Sequence, residues 1–251
     1  KVVERVIDGI KLKMVSAVGE ADDEIYVWLE DDQIMCCGDN YYGCWPNLYA
    51  IRGTMYRDVA TWIDTLNEIL NYPAVALLPG HTRVLWQNEI KAIVGTFRDA
   101  IEDILFKTLD CMNQGMSLEE TVKNVKLAPI YQDKEYLGEY YGTVEWSVKS
   151  IYNGYVGWFD GDPVKLLPHP TEAYNQAVLA LIGDNDKLIL AIKNYMAQED
   201  YQMALQLIEL LMVQDNSLQI IELKKQALLM RAKQVTSANA RHYLIACAKS
   251  L

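Results

Sequence analysis

Apolar and polar positions alternate along the first 40 residues with a period of two. Val2–Ile7, Ile10–Ser16, Ile25–Leu29 and Ile34–Cys37 are short runs of this kind, separated by Asp-Gly, Gly-Glu and Glu-Asp-Asp turn signals. Such runs predict strands joined by tight connections. The period then lengthens. Val59, Ile63, Leu66 and Leu70 share one face of a predicted helix over Tyr56–Leu70, and Ala74–Leu78 is a continuous apolar strand ended by Pro79-Gly80. Strand, helix, strand in that order suggests an α/β layer.

From Asn88 onward the pattern is helical. Glu89–Asn113 places Ile90, Ile93, Val94, Phe97, Ile101, Ile104, Leu105 and Leu109 at helical spacing, and Gly115 closes the helix. Ser117-Leu118-Glu119-Glu120 reads as a capping box opening the next helix. Thr143–Phe159 is a further predicted helix, stopped by Asp160-Gly161-Asp162-Pro163. The last stretch predicts five helices with short polar loops: Thr171–Ile182, Lys187–Glu199, Tyr201–Val213, Ser217–Ala232 and Ser237–Ser250. Their small-residue and aromatic rhythm is tetratricopeptide-like without a strict repeat. The expected fold class is α+β, with a mixed layer over residues 1–88 and an all-α domain over residues 89–251. Apolar stripes on the helices are core first and a dimer surface second.

Composition narrows the function classes. The 251 residues are 51% apolar, enough for a sizeable core, and carry a net charge of -11. An acidic chain with no basic run is a poor partner for nucleic acid, whose affinity rests on clustered Lys and Arg. No apolar stretch reaches the length of a bilayer span. The sequence opens on Lys1, and Val2 onward already reads as the interior of a domain, so an upstream portion is expected. Cys36, Cys37, Cys44, Cys111 and Cys247 form neither a disulfide framework nor a zinc knuckle. They are expected as buried free thiols in a reducing, cytoplasmic setting.

Candidate chemistry sits at strand ends. Glu20 lies in the turn Gly19-Glu20-Ala21-Asp22-Asp23, Asp39 follows the run Ile34–Gly38, and His81 follows Pro79-Gly80. Loops at strand ends of layered α/β proteins converge on a shared cleft. One imidazole with two carboxylates can hold a divalent metal; surface acids in turns are the alternative reading. His169, in a Pro-rich connector, and His242, in the last helix, are expected to be structural or exposed.

Three stretches carry a family resemblance. "LLPGHT", residues 77–82, resembles the late histidine motif of the metallo-β-lactamase fold. "EYYGTVEWSVKSIYNGYVGWFDGDP", residues 139–163, is similar to the signature of the alkyl sulfatases of that superfamily, in the helical dimerisation domain that follows their metal-binding domain. "NLYAIRGTMYRDVATWIDTLNEIL", residues 47–70, resembles the same family's Asn-Leu-Tyr-x-x-Arg-Gly segment.

The resemblance implies a partial metallo-β-lactamase-type layer followed by a helical domain that builds a homodimer and caps the active site. It implies two metal ions, usually zinc, and hydrolysis of alkyl sulfate esters to alcohol and sulfate. Glu20 matches the ligand of the first ion. Asp39, with eighteen residues between it and Glu20, matches the residue that bridges both ions, where the family more often has Glu. His81 matches a ligand of the second ion. Arg52 corresponds to the sulfate-contacting arginine, a role suited to a planar, permanently charged guanidinium. Arg57 and Tyr152 fall in the same pocket by this resemblance, with a salt bridge and a core tyrosine as the alternative readings.

Two departures stand out. The family's His-x-His-x-Asp-His motif lies upstream of everything in this sequence, so the chain by itself is expected to bind metal poorly and to be inactive. Many members carry a histidine just after Tyr-Gly-Thr-Val, where this chain has Glu145-Trp146-Ser147. Competing expectations are a non-catalytic helical oligomerisation module, or a hydrolase of phosphoesters or thioesters from the same superfamily. A sterol-carrier-like domain follows the helical domain in some members.

Overall fold

The computed structural model describes residues 1–51 and 53–251 of the chain. They divide into two compact units, Lys1–Gly161 and Asp162–Leu251.

The first unit is built on one six-stranded sheet: β1 (Val2–Ile7), β2 (Ile10–Ser16), β3 (Ile25–Leu29), β4 (Ile34–Gly38), β5 (Ala76–Pro79) and β6 (Leu85–Trp86), ordered in space as in sequence. The first four pair antiparallel. β4 and β5 pair parallel, with the register slipping between Cys36 and Gly38, and β6 returns antiparallel to β5. A parallel pair needs a crossover. Helix α1 (Val59–Leu70) supplies it, burying Val59, Trp62, Ile63, Leu66 and Ile69. The helix starts three residues later than its apolar spacing predicts, because Asp58 is the N-cap: its side chain accepts from the amides of Ala60 and Thr61.

Helix α2 (Gln87–Asn113) buries Ile90, Val94, Phe97, Ile101 and Ile104. It packs against α1, β5, β6 and the later helix α5 (Val144–Val156). This packing moves the compact division to Gly161, well past the change of pattern near residue 88. Short elements fill the space between: α3 (Leu118–Asn124), opened by the expected Ser117–Glu120 capping box, α4 (Pro129–Gln132) and a 3-10 turn at Glu135–Leu137. One core joins all of these. Val15, Tyr26, Trp28, Met35 and Leu77 face it from the sheet, and Trp62, Phe97, Ile101, Val148 and Ile151 from the helices. The strand register puts Leu12, Met14, Val27, Leu29, Ile34 and Cys36 on the other face, half-buried.

Two of the three segments that carry the resemblance, residues 47–70 and 139–163, meet inside this unit, where Ser150 Oγ donates to the Leu48 carbonyl at 3.4 Å. Trp45 donates through Nε1 to Ser147 Oγ at 3.0 Å, and its amide donates to the Gly138 carbonyl at 2.9 Å. A Cβ on Gly142 would stand 2.3 Å from the Pro46 carbonyl oxygen, so only glycine admits this approach.

The second unit is helical: α6 (Pro163–Leu166), α7 (Thr171–Ile182), α8 (Asn185–Ala197), α9 (Tyr201–Leu211), α10 (Leu218–Gln234) and α11 (Ala238–Ser250). From α8 on, each helix packs on its successor. Leu188, Ile192, Leu205, Ile208, Leu211, Ile220 and Leu228 form a core of their own. Asp184 and Asp200 cap α8 and α9 by accepting amide hydrogen bonds. His169 and His242 are exposed in this unit. No described helix is long and apolar enough to cross a membrane.

Candidate metal centre and its surroundings

Strand direction gathers the site. β2 and β4 are both antiparallel to β3, and β5 is parallel to β4, so β2, β4 and β5 run the same way. The turns that follow them lie along one edge of the sheet. Those turns hold Glu20, Asp39 and His81.

Asp39 and His81 come together. His81 Nε2 stands 3.5 Å from Asp39 Oδ2, with the imidazole 70% exposed and the carboxylate 33%. Asp39 Oδ1 is buried and has no hydrogen-bond partner among the described residues. Gly80 is required here: a Cβ would stand 2.0 Å from Asp39 Oδ1. The next residue, Thr82, has φ of 71°, an unusual conformation for a β-branched side chain. Its hydroxyl accepts from the Gly43 amide at 3.1 Å, which ties the His81 turn to the loop after β4. The Tyr42 ring meets the imidazole edge to face, 6.2 Å between centroids.

Glu20 has other company. Its Oε1 is 3.1 Å from the buried Arg57 guanidinium and 3.4 Å from Asn47 Nδ2, and Glu20 itself is mostly shielded from solvent. Arg57 also donates to the Asn47 carbonyl. The Tyr42 hydroxyl accepts from the Asn47 amide at 2.5 Å. Burial, followed by the charge of Glu20, keeps that phenol well above its ordinary pKa.

An adjacent carboxyl, Glu24, was not singled out by the sequence pattern. It is half-buried and lifted to about 7, chiefly by desolvation and further by the charge of Asp39; the amides of Glu20, Asp39 and Ala21 act the other way. The folded chain therefore keeps this proton to higher pH than the unfolded chain. Its contribution to stability is present below about 4.5 and is lost as pH rises to about 7. With allowance for solvent screening, metal-free chain should lose on the order of 1–2 kcal/mol across that window relative to Glu24→Gln. Urea unfolding of both proteins at the two ends of the window measures it; parallel pH profiles would refute it.

The donor set fits a metal ion in part. An unpartnered carboxylate oxygen beside an accessible imidazole suits zinc. Among the described residues, however, no three of His, Cys, Asp and Glu are grouped closely enough to hold an ion. Among the described residues Glu20, Asp39 and His81 share a sheet edge without forming one three-ligand cluster, and Glu20 Oε1 is paired with Arg57.

The remaining candidates separate. Arg52 lies outside the described residues. Arg57 is a buried partner of Glu20. Tyr152 is buried in α5, its hydroxyl donating to the Met116 carbonyl at 3.1 Å. Tyr49, Ile51, Tyr56, Trp146, Lys149 and Asn153 line an open groove of about 500 Å³. Glu145 is exposed and paired with Lys149 at 2.5 Å, while Trp146 presents its ring to the groove. All five cysteines are free, but only Cys37 is buried, with its thiol raised to about 12 by desolvation.

Comparison with known proteins decides the family. The alkyl sulfatase dimerisation family matches residues 117–251, more than half of the chain. The chain belongs to this family. A linear primary-alkylsulfatase from a Pseudomonas species is 35% identical over 208 residues, covering 82% of this chain and 39% of that protein. The alkyl/aryl-sulfatase BDS1 of Saccharomyces cerevisiae is 27% identical over 251 residues, covering 97% of this chain and 39% of its own length. The chain thus spans about two fifths of the curated relatives it matches. A solved stereoselective inverting sec-alkylsulfatase from Pseudomonas superposes over 98% of this chain with a TM-score of 0.92 at 24% identity, covering 40% of that structure; this shows the shared fold.

Proposed function

We propose that this chain is the portion of a dinuclear zinc alkylsulfatase that supplies one side of the metal centre, the sulfate-binding arginine and the dimer-forming helices. The observation that carries the reading is the Asp39–His81 pair. Two donors are delivered side by side by parallel strands, and one carboxylate oxygen is buried with no hydrogen-bond partner among the described residues. In a complete protein, zinc would supply a water that is hydroxide-like near neutral pH.

The chain's own residues then have distinct roles. Asp39 and His81 are ligands. Glu20 is a ligand whose orientation is set by Arg57 and Asn47. Arg52 receives the sulfate group by bidentate hydrogen bonds. Tyr152 has a packing role, since its hydroxyl is engaged by Met116. The aromatic groove suits the hydrocarbon part of a sulfate ester, and Glu145 does not oppose the sulfate because it pairs with Lys149. By itself the 251-residue chain is inactive, because it gathers too few donors. The match to the dimerisation family favours a homodimer through the helices. It also supports a second reading in which those helices serve assembly alone.

Zinc-dependent release of sulfate from an alkyl sulfate tests the proposal in the longest natural protein that contains this chain. Asp39→Ala and His81→Ala should each lower the rate by more than about 100-fold, the upper end for residues that only support a ligand. Zinc content should fall in parallel. Full activity of either variant would refute the ligand roles. Sulfate release by the isolated chain would refute its inactivity, and a dimeric, metal-free, inactive parent would favour the assembly reading.

A further inference from the structure

We propose that Glu24 is a positioning residue whose carboxylate fixes the spacing of the Glu20 and Asp39 turns. Its functional half rests on the metal centre proposed above.

The side chain starts from a fixed base. At the entrance to β3, the Glu24 amide donates to the Ala21 carbonyl at 3.3 Å, and its own carbonyl accepts from Ala17 at 2.9 Å. From there each carboxylate oxygen serves a different turn. Oε2 accepts the Glu20 amide at 2.8 Å. A Cβ on Gly19 would lie 2.2 Å from Asn40 Oδ1 and 2.8 Å from Glu24 Oε2, and a Cβ on Gly38 would lie 3.0 Å from Oε1. Both glycines immediately precede a candidate ligand, and both are cut back to the backbone where the carboxylate sits. The Asp39 amide faces the same carboxyl. Gly38 takes a left-handed conformation with φ of 56° where the β4–β5 register slips, a conformation glycine reaches without strain.

The residue type fits this task better than a filling role. A carboxyl placed here loses hydration, whereas an apolar side chain would fill the same space without that cost. A carboxyl group places an acceptor oxygen in each of two directions, which suits two turns that both present backbone N–H groups. An amide keeps one of the two ties, and alanine keeps neither.

Chelator competition for zinc in the longest natural protein that contains this chain tests the idea beside hydrogen exchange at the Glu20 amide. Glu24→Ala should weaken the apparent zinc affinity by about tenfold or more, the usual cost of losing a residue that supports a ligand. It should speed Glu20 exchange by about as much while Tyr26 in β3 is unchanged. Glu24→Gln should stay within about threefold on both counts, because its carbonyl still accepts from Glu20. Equal losses in both variants would mean that charge alone matters, and would overturn the proposal. So would wild-type behaviour of Glu24→Ala. Should Glu24→Ala fail to fold, Glu24→Asp, one methylene shorter, takes its place in the same contrast. If that longer wild-type protein binds no zinc, the metal reading fails, and Glu20 exchange alone decides the role of Glu24.

Discussion

Arg57→Met is expected to destabilise the first unit by about 3–5 kcal/mol, the usual cost of removing one member of a buried ion pair. The Arg57 side chain is 7% exposed and that of Glu20 13%, so water cannot replace the guanidinium easily. The Asn47 carbonyl would lose its donor as well. Adding Glu20→Leu should recover most of the loss, because an apolar pair leaves no charge uncompensated. Urea unfolding of the two single variants and the double variant measures both effects. A single-variant cost below about 1 kcal/mol would mean that the pair behaves as a solvated surface bridge. Glu20 would then be free to turn toward an ion without first breaking a strong contact, and its assigned orientation would lose its support.

That result bears on why Glu20 was only half legible. The turn signal and the spacing to Asp39 located it correctly on the sheet edge. Its partner lies 37 positions later, at the end of an irregular loop where no period operates. Arg57 was placed in the sulfate pocket by the resemblance, with a salt bridge as the alternative, and the structure shows the salt bridge. Burial beside a carboxylate is a tertiary fact that side-chain type alone does not reveal. Asp39 and His81 were legible for the opposite reason. Each ends an apolar run, and parallel neighbours in an α/β layer bring such ends together as a matter of topology.

The strands and most helices followed from periodicity because each has a clean apolar face. The small β6, α4 and α6 were missed, being too short to show a period. The two resemblance segments, residues 47–70 and 139–163, were read as separate signatures, but in space they form one packed region. The hint was present in Gly142, whose lack of a side chain permits contact with Pro46, yet a glycine in sequence does not name the backbone it approaches. Glu24 went unnoticed for a similar reason: it sits among acids at a turn, and only its two glycine neighbours in space distinguish it.

Trp45→Ala should cost about 3–5 kcal/mol, the range for removing a buried aromatic ring. The ring is fully buried, and its loss also leaves Ser147 without the indole donor. The form of the transition matters as much as its size. Trp45 follows β4, whereas Ser147 lies in α5, on the far side of the expected boundary near residue 88. If residues 1–161 are one cooperative unit, as the shared core implies, tryptophan fluorescence and helical circular dichroism should report the same shifted transition for that unit. If residue 88 separates two independently stable domains, the variant should instead lose the sheet signal first, with α2 and α5 melting later. Coincident loss would mean that the helical segments after residue 88 are part of the scaffold that holds Asp39 and His81. Truncation at that point would then destroy the candidate centre along with the helices.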